Sequence, residues 1–197
     1  MRILVIDYNA GNVQSVLFAL KRLGHSAELS NDTSKIQAAD KIIFPGVGEA
    51  SSTMRFLRNK GLASLIPGIK QPFLGICLGL QILCKHSEEN NTPCMGVFDE
   101  QIKKFTNTSE SHLKIPHMGW NSISGLKGKI FQDVPENSQV YFVHSYYATI
   151  GADTSAVCEY ANNFSAALEK DNFFAVQFHP EKSADVGESI LKNFLDI

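Results

Sequence analysis

One cysteine of the chain lies in a setting that favours nucleophilic chemistry. Cys77 stands between two glycines in Gly75-Ile76-Cys77-Leu78-Gly79, after the apolar run 72–74 and before the helix-like stretch 80–84. A strand, a Gly-X-Cys-X-Gly turn and a helix follow one another as in a nucleophile elbow, with sulfur in place of the serine oxygen. The glycines remove Cβ atoms that would clash in so sharp a turn. The N-terminus of the helix favours the reactive thiolate.

A second motif, His179-Pro180-Glu181, supplies a base and a carboxylate about a hundred residues later, after the strand-like run 173–178. In an extended segment, residues two apart project to the same side, and Pro180 stiffens that segment. We therefore expect Glu181 to orient His179, as the third member of a triad does. Together, Cys77, His179 and Glu181 predict thiol catalysis on an amide or an ester.

The competing interpretation of a buried cysteine is a small apolar core residue. We interpret the other three cysteines in that way: Cys84, Cys94 and Cys158. The chain has no Cys-x-x-Cys or His-x-x-x-His pair, so we expect neither a metal site nor a cofactor.

Composition excludes several classes of protein. The 197 residues, 44% of them hydrophobic, fit a single domain over 1–197. A net charge of −2 without a long basic run gives no reason to expect nucleic acid or an anionic membrane surface as partner. Unpaired cysteine spacing indicates a reducing compartment. No apolar run reaches the roughly 18 residues of a membrane span, and the apolar start, interrupted by Asp7, is too short for a signal peptide. We expect a cytoplasmic protein.

The first half of the chain alternates strand and helix patterns. Apolar runs predict strands at 3–6, 27–29, 41–44 and up to Cys77, while helical spacing recurs from Val13 to Leu23 and around Met54. This alternation predicts a doubly wound parallel sheet whose functional sites lie at the carboxyl ends of its strands. Three motifs fall at such ends, namely 7–12, 45–48 and Cys77.

The second half reads as antiparallel material attached to the parallel core. We predict exposed polar loops at 90–93 and 106–111 and a last helix at about 186–195. Short strands separated by Gly, Asn and Asp turns are predicted at 101–105, 115–124, 139–149, 156–160 and 166–169. The predicted fold class is α/β, a doubly wound, mostly parallel sheet with attached antiparallel strands.

These motifs resemble a known family, the class I (triad) glutamine amidotransferases, through 75–81 and His179-Pro180-Glu181. The resemblance implies a flavodoxin-like fold. Within the family, narrower strings resemble the glutaminase subunits of imidazole glycerol phosphate synthase, which serve histidine biosynthesis. These strings are Ile6-Asp7-Tyr8 with Gly11-Asn12, Pro45-Gly46-Val47-Gly48, Ser87-Glu88-Glu89, Pro116-His117-Met118-Gly119-Trp120-Asn121, Tyr141-Phe142-Val143-His144-Ser145-Tyr146 and His179-Pro180-Glu181-Lys182-Ser183.

The resemblance implies hydrolysis of L-glutamine to glutamate and ammonia. Cys77 attacks the side-chain amide and His179 protonates the departing ammonia. The oxyanion-hole donors are then the backbone N–H groups of Leu78, directly after the nucleophile, and of Val47. Because glycines flank Val47, its peptide is expected to rotate and to act as a switch that is closed until a partner binds. The alternative for 45–48 is an ordinary Pro-Gly turn.

Glutamine itself requires recognition at both ends. By family match, the residues expected to contact it are Gly48, Gln81, Glu89, Ser145 and Tyr146, and a carboxylate such as Glu89 suits the α-ammonium group. Taken alone, Gln81 would be a helix-surface residue and Glu89 a loop charge.

Ammonia needs a dry path to a second active site, and the chain has no second catalytic set. The resemblance implies a heterodimer with a (β/α)8-barrel cyclase subunit. Expected interface residues are Asn12, Met118, Trp120 and Lys182, of which Lys182 couples docking to the triad. The alternative for Trp120, the single tryptophan, is a place in the core.

Two other functions stay open at this point. The same glutaminase step serves enzymes with a different ammonia acceptor, such as a surface-polysaccharide sugar. A peptidase-like or non-enzymatic relative is less favoured, because papain-type enzymes carry Asn or Asp as third group and because no triad residue is missing.

Overall fold

The structure, a computed structural model, describes residues 1–8, 13–106 and 113–197. Its strands in chain order are β1 (Ile3–Ile6), β2 (Ala27–Ser30), β3 (Lys41–Phe44), β4 (Phe73–Ile76), β5 (His86–Ser87), β6 (Thr92–Pro93), β7 (Gln101–Lys104), β8 (His117–Ile123), β9 (Ser138–His144), β10 (Tyr146–Ala148), β11 (Thr154–Glu159), β12 (Asn163–Lys170) and β13 (Phe173–Val176). The α-helices are α1 (Val13–Arg22), α2 (Thr33–Ala38), α3 (Ala50–Asn59), α4 (Leu62–Leu65), α5 (Leu78–Leu83) and α6 (Ala184–Asp196).

A parallel sheet of order β2-β1-β3-β4-β13 forms the centre of the fold, and antiparallel strands continue it beyond β13 through β12, β10 and β7. Strands β1, β3, β4 and β13 are buried along their whole length, as continuous apolar runs in a sheet covered on both faces should be. Strands β8 and β9 pair with each other in a separate two-stranded sheet. The predicted α/β fold class is therefore confirmed.

Helices cover both faces of the sheet and bury apolar side chains against it. On one face lie Val16 and Leu20 of α1 with Ile190 and Phe194 of α6. On the other face lie side chains of α2, α3 and α5, among them Ile36, Leu57 and Leu80. Because β1, β3 and β4 are parallel neighbours, their carboxyl ends meet at one edge of the sheet, where the candidate residues gather.

The predicted strand 139–149 is wrong in one respect, because it is two strands. Strand β9 ends at His144 and pairs with β8, while β10 begins at Tyr146 and pairs with β7 and β12. Ser145 stands at the change of sheet.

The predicted loop 90–93 also differs from the structure. Thr92 is buried and forms part of β6, which pairs with β5. The sequence pattern of a short polar segment does not show that it pairs with another strand, so β6 could not be predicted from residues 90–93 alone. The predicted loop 106–111 lies outside the described residues except for Thr106.

Candidate active site

Cys77 occupies the turn between β4 and α5. Its backbone has φ 50° and ψ −101°, and its N–H donates to the carbonyl of Val176 at 2.7 Å. The flanking glycines are sterically required. A Cβ on Gly75 would lie 2.7 Å from the Gly79 carbonyl carbon, and a Cβ on Gly79 would lie 2.6 Å from the Phe44 oxygen. Helix α5 begins at the next residue, so Cys77 stands at the positive, N-terminal end of the helix.

Cys77 is buried, with 7% of the residue exposed, and its sulfur has a side-chain donor. The amide nitrogen of Gln177 lies 3.5 Å from Sγ, and the carbonyl oxygen of Val143 lies 3.8 Å from it. Gln177 is fully buried, and its Oε1 accepts from Gln81 at 3.2 Å. An N–H aimed at sulfur stabilises a negative charge there.

His179 and Glu181 form a buried pair, with 2.8 Å between Nδ1 and Oε1. The expectation that one extended segment presents both side chains is wrong. His179 is extended, but Pro180–Lys182 form a 3₁₀ turn, and Glu181 reaches back across that turn. Two hydrogen bonds of the His179 backbone hold the start of the turn. The N–H donates to the Tyr141 carbonyl oxygen, and the carbonyl oxygen accepts from the Ser183 hydroxyl.

The charge state of His179 follows from its neighbours. Burial opposes the charged form, yet the negative charge on Cys77 and the Glu181 carboxylate outweigh it and raise the pKa of His179 to about 10. The Nε2 atom is buried and has no partner of hydrogen-bond geometry among the described residues. Since no aligned bond to the sulfur exists, the effect of Cys77 is one of proximity and charge, and Nε2 is free to exchange a proton with a substrate.

A cavity of about 330 Å³ opens in front of Cys77. All seven residues expected at the oxyanion hole and around glutamine line it: Val47, Gly48, Leu78, Gln81, Glu89, Ser145 and Tyr146. Its wall also includes Gly46, Pro116, Val143 and His144. The structure thus brings together, on one cavity, residues separated by up to a hundred positions.

The sequence alone suggested that two of the lining residues, Gln81 and Glu89, lie on the surface, but the structure buries both at least in part. Gln81 is 5% exposed, and its amide donates to the Tyr146 carbonyl at 3.0 Å. Glu89 is half-buried, and one of its carboxylate oxygens accepts from the Ala50 N–H at 2.7 Å. Burial raises the pKa of Glu89.

Two buried histidines support the cavity wall. His144 Nδ1 lies 2.7 Å from the Tyr146 carbonyl, so it carries hydrogen and Nε2 accepts from His117 Nδ1 at 3.0 Å. Burial lowers the pKa of His117 to about 4 and that of His144 to about 3, which keeps both neutral. The chain of hydrogen bonds joins β8 to the backbone at Tyr146.

The segment that carries Val47 packs against the elbow. A Cβ on Gly46 would collide with the Ile76 carbonyl oxygen and lie 2.6 Å from the Leu78 nitrogen. The Val47 N–H donates to the Tyr8 hydroxyl at 3.0 Å. The Val47 donor is thus engaged elsewhere in this arrangement.

Three of the four expected interface residues lie on the surface. Met118 and Trp120 of β8 are 63% and 54% exposed, and Lys182 is also exposed. A core position for Trp120 is therefore excluded. Asn12 lies outside the described residues.

Sequence reasoning assigned no role to four residues that shape this site: Tyr8, His117, His144 and Gln177. Gln177 interrupts an apolar strand-like run, and an unexplained polar residue at such a place was the available signal. The other three stand inside quoted motifs. Among the described residues, no cluster of three or more His, Cys, Asp or Glu side chains is arranged to hold a metal ion.

Comparisons with known proteins agree on the family. A model of the family Glutamine amidotransferase class-I matches residues 4–197. "Imidazole glycerol phosphate synthase subunit HisH" of Bacteroides fragilis is 52% identical over 197 residues, covering 100% of both chains. The subunit of the same name from Shewanella loihica is 45% identical over 202 residues, covering 98% of this chain and 89% of that one.

Solved structures show the same fold. The crystal structure of a glutamine amidotransferase has a TM-score of 0.74 at 17% identity and covers 98% of this chain and 97% of that one. With the family match and two closely similar full-length relatives, the conclusion is that this chain belongs to the class I glutamine amidotransferase family.

Proposed function

We propose that this chain is the glutaminase subunit of an imidazole glycerol phosphate synthase. It hydrolyses L-glutamine to glutamate and ammonia, and the ammonia passes to a cyclase subunit that makes imidazole glycerol phosphate and AICAR in histidine biosynthesis. One observation carries the glutaminase step: Cys77 faces a cavity beside a histidine whose Nδ1 is held by Glu181 and whose Nε2 has no hydrogen-bond partner in the described part of the chain. The names of the two relatives support the pathway.

In the first step, the Cys77 sulfur attacks the side-chain amide carbon of glutamine. A carbon–sulfur bond forms, and the carbonyl electron pair moves to the oxygen, which becomes an oxyanion. The Gln177 N–H and the N-terminus of α5 stabilise the thiolate before the attack. They also place the sulfur at the cavity wall.

In the second step, the oxyanion collapses and the carbon–nitrogen bond breaks. His179 Nε2 gives its proton to the leaving nitrogen, and ammonia departs from a glutamyl thioester. His179 then takes a proton from water as the water oxygen bonds to the thioester carbon. The carbon–sulfur bond breaks, glutamate leaves and the Cys77 thiolate is restored. Glu181 holds Nδ1 throughout, so that Nε2 keeps its direction and the imidazolium is stabilised.

Oxyanion stabilisation is the incomplete part of the site. The Leu78 N–H is the first of α5 and has no partner within the helix. The second donor, Val47 N–H, is bonded to Tyr8 and must turn towards Cys77 before it can act. Removal of one such donor typically costs about 100- to 1,000-fold in kcat. Low activity of the isolated chain follows.

Glutamine binds in the cavity with its amide at Cys77. Glu89 accepts from the α-ammonium group through the carboxylate oxygen that Ala50 leaves free. Gly48, Gln81, Ser145 and Tyr146 complete the contacts, partly through backbone groups. Because the Gln81 amide nitrogen already donates to Tyr146 and Gln177, its contribution comes from Oε1.

The partner is a (β/α)8-barrel cyclase subunit, bound as a heterodimer over the face that carries Met118 and Trp120. Exposed large apolar side chains of this kind suit the centre of a protein interface. Asn12 and Lys182 belong to the same interface. Lys182 lies on the 3₁₀ turn between His179 and α6, so a contact there reaches the triad directly.

Residues 1–197 form one domain, supported by the family match over 4–197 and a sheet that both halves of the chain build. Cytoplasmic placement is supported by four free cysteines. No helix in the described ranges has the length and apolarity needed to cross a bilayer.

The test compares glutamate release by the purified chain alone, with the barrel subunit, and with the barrel subunit plus its cyclase substrate. We expect little release alone and strong stimulation in the loaded complex. Cys77→Ala abolishes glutamine-dependent synthesis and leaves synthesis from ammonium salts, whereas the control Cys94→Ala retains both. A barrel that neither binds nor stimulates the chain would rule out the histidine pathway and favour another ammonia acceptor.

A further inference from the structure

We propose that Tyr8 is a positioning residue that holds the Val47 peptide away from the oxyanion site, so that its hydroxyl keeps the isolated glutaminase in a low-activity state. The proposal rests on the proposed glutaminase function and names the contact that regulates it. It uses a residue to which the sequence motifs assigned no role.

The Tyr8 hydroxyl makes two hydrogen bonds to one residue. It accepts from the Val47 N–H at 3.0 Å and donates to the Val47 carbonyl oxygen at 2.7 Å. The two atoms belong to successive peptide groups, 46–47 and 47–48. A single oxygen therefore fixes the orientation of both peptides that flank the Val47 Cα.

The phenol is itself held firmly. Tyr8 is 3% exposed, and its ring stacks on Phe44 with 4.7 Å between centroids and 22° between planes. Tyr8 follows β1 and Phe44 ends β3, the neighbouring strand. Burial raises the pKa of Tyr8; the hydrogen bond to Val47 lowers it in part, and the nearby Cys77 raises it further. The hydroxyl therefore keeps the proton that it donates.

Other contacts of Val47 offer little resistance to rotation. Its side chain is 37% exposed, so a turning peptide does not drag an apolar group through the core. Gly48 has φ 141°, a conformation that glycine adopts without strain. Gly46 anchors the start of the segment against the elbow. The Tyr8 hydroxyl is thus the polar contact that must break before the Val47 N–H, with its single hydrogen, can donate to an oxyanion on Cys77.

Tyr8→Phe tests this idea because it keeps the stacked ring and removes only the hydroxyl. A net hydrogen bond of ordinary strength corresponds to about a 2- to 10-fold change in an equilibrium. We expect kcat for L-glutamine hydrolysis by the isolated chain to rise by about that factor, with KM unchanged. In the complex with the barrel subunit we expect kcat to stay the same. The ratio of kcat in the complex to kcat of the isolated chain therefore falls by the same factor. A purely structural role of Tyr8 would lower both rates.

Hydrogen exchange at the Val47 amide gives a second measurement that needs neither substrate nor partner. In Tyr8→Phe this amide should exchange several-fold faster, while amides of β1 and β3 stay protected. The matched control is Tyr160→Phe, which removes a similar bond from a tyrosine hydroxyl to the Lys114 carbonyl at 2.6 Å. It should change neither the basal rate nor exchange at Val47.

The two proposals fail in different ways. A folded Tyr8→Phe variant with an unchanged or lower basal kcat, or with unchanged exchange at Val47, would overturn the role of Tyr8 alone. Wild-type chain that releases no glutamate with or without the barrel subunit would overturn the glutaminase function, and this role with it.

Discussion

The charge of Glu181 can be removed without removing its hydrogen bond. In Glu181→Gln the carboxamide oxygen can still accept from His179 Nδ1 over the same 2.8 Å. The two side chains are 1% and 2% exposed, so solvent screens their interaction little. The substitution therefore isolates the electrostatic contribution of the carboxylate to the imidazolium.

The magnitude follows from the kind of bond that is replaced. A hydrogen bond to a charged group contributes about 1.5–3 kcal/mol and a neutral one about 1 kcal/mol, so the imidazolium loses about 1–2 kcal/mol. Since one pKa unit corresponds to about 1.4 kcal/mol, the pKa of His179 falls by about 1. The same loss in the step in which His179 takes a proton from water, and the imidazolium forms, lowers kcat by about 5- to 30-fold.

The assay is kcat/KM for glutamine hydrolysis in the complex with the barrel subunit, from pH 6 to pH 10.5. Because Glu181 helps to raise the pKa of His179 to about 10, activity of the wild type declines as pH rises through that value and the imidazolium loses its proton. In Glu181→Gln the alkaline decline should occur about one pH unit lower. The control Glu188→Gln, an exposed partner of Arg22, should leave the profile unchanged. An alkaline limb at the wild-type position in Glu181→Gln would refute the assigned role of the carboxylate.

Two further predictions concern buried polar residues. Gln177→Leu removes the N–H donor 3.5 Å from the Cys77 sulfur. It should slow both glutamine hydrolysis and alkylation of Cys77 by iodoacetamide by about 10-fold. Alkylation at the wild-type rate would show that this donor does not stabilise the thiolate. His117→Phe keeps the ring stacking but leaves His144 Nε2 without its donor, so calorimetry at pH 7.5 should show a melting temperature lower by about 3–8 °C. Because the folded-state pKa of both histidines is depressed, wild-type stability should fall as pH decreases from 6.5 towards about 4, and a smaller fall is expected in His117→Phe.

The parallel core was predictable because its strands are buried on both faces. Such strands appear as continuous apolar runs, and β1, β3 and β4 were predicted within a residue of their observed bounds. Their carboxyl ends then had to meet at one edge, which placed the Val47 segment next to Cys77. The elbow followed in the same way from two glycines whose Cβ atoms would have no room.

Other features depend on contacts distant in sequence, so local patterns do not reveal them. The strand break at Ser145 exists because β9 and β10 have partners in different sheets. The sequence could not decide between a core and a surface position for Trp120, which is exposed. An apolar residue in a core and one in a protein interface give the same sequence pattern. Helix α2 is only six residues long and its N-terminus is capped by Asp32. Six residues are too few for hydrophobic periodicity to predict a helix.

The backbone of Cys77 carries a thermodynamic consequence. A non-glycine residue at φ 50° and ψ −101° costs on the order of 1–3 kcal/mol, a large share of the roughly 5–15 kcal/mol by which such a domain is stable. Glycine at this position would relieve that strain and leave no nucleophile, so the residue type that maximises stability here is the one that abolishes reaction. Thermostability and turnover are therefore opposed at a single residue, and selection of variants by heat resistance alone would favour loss of the sulfur.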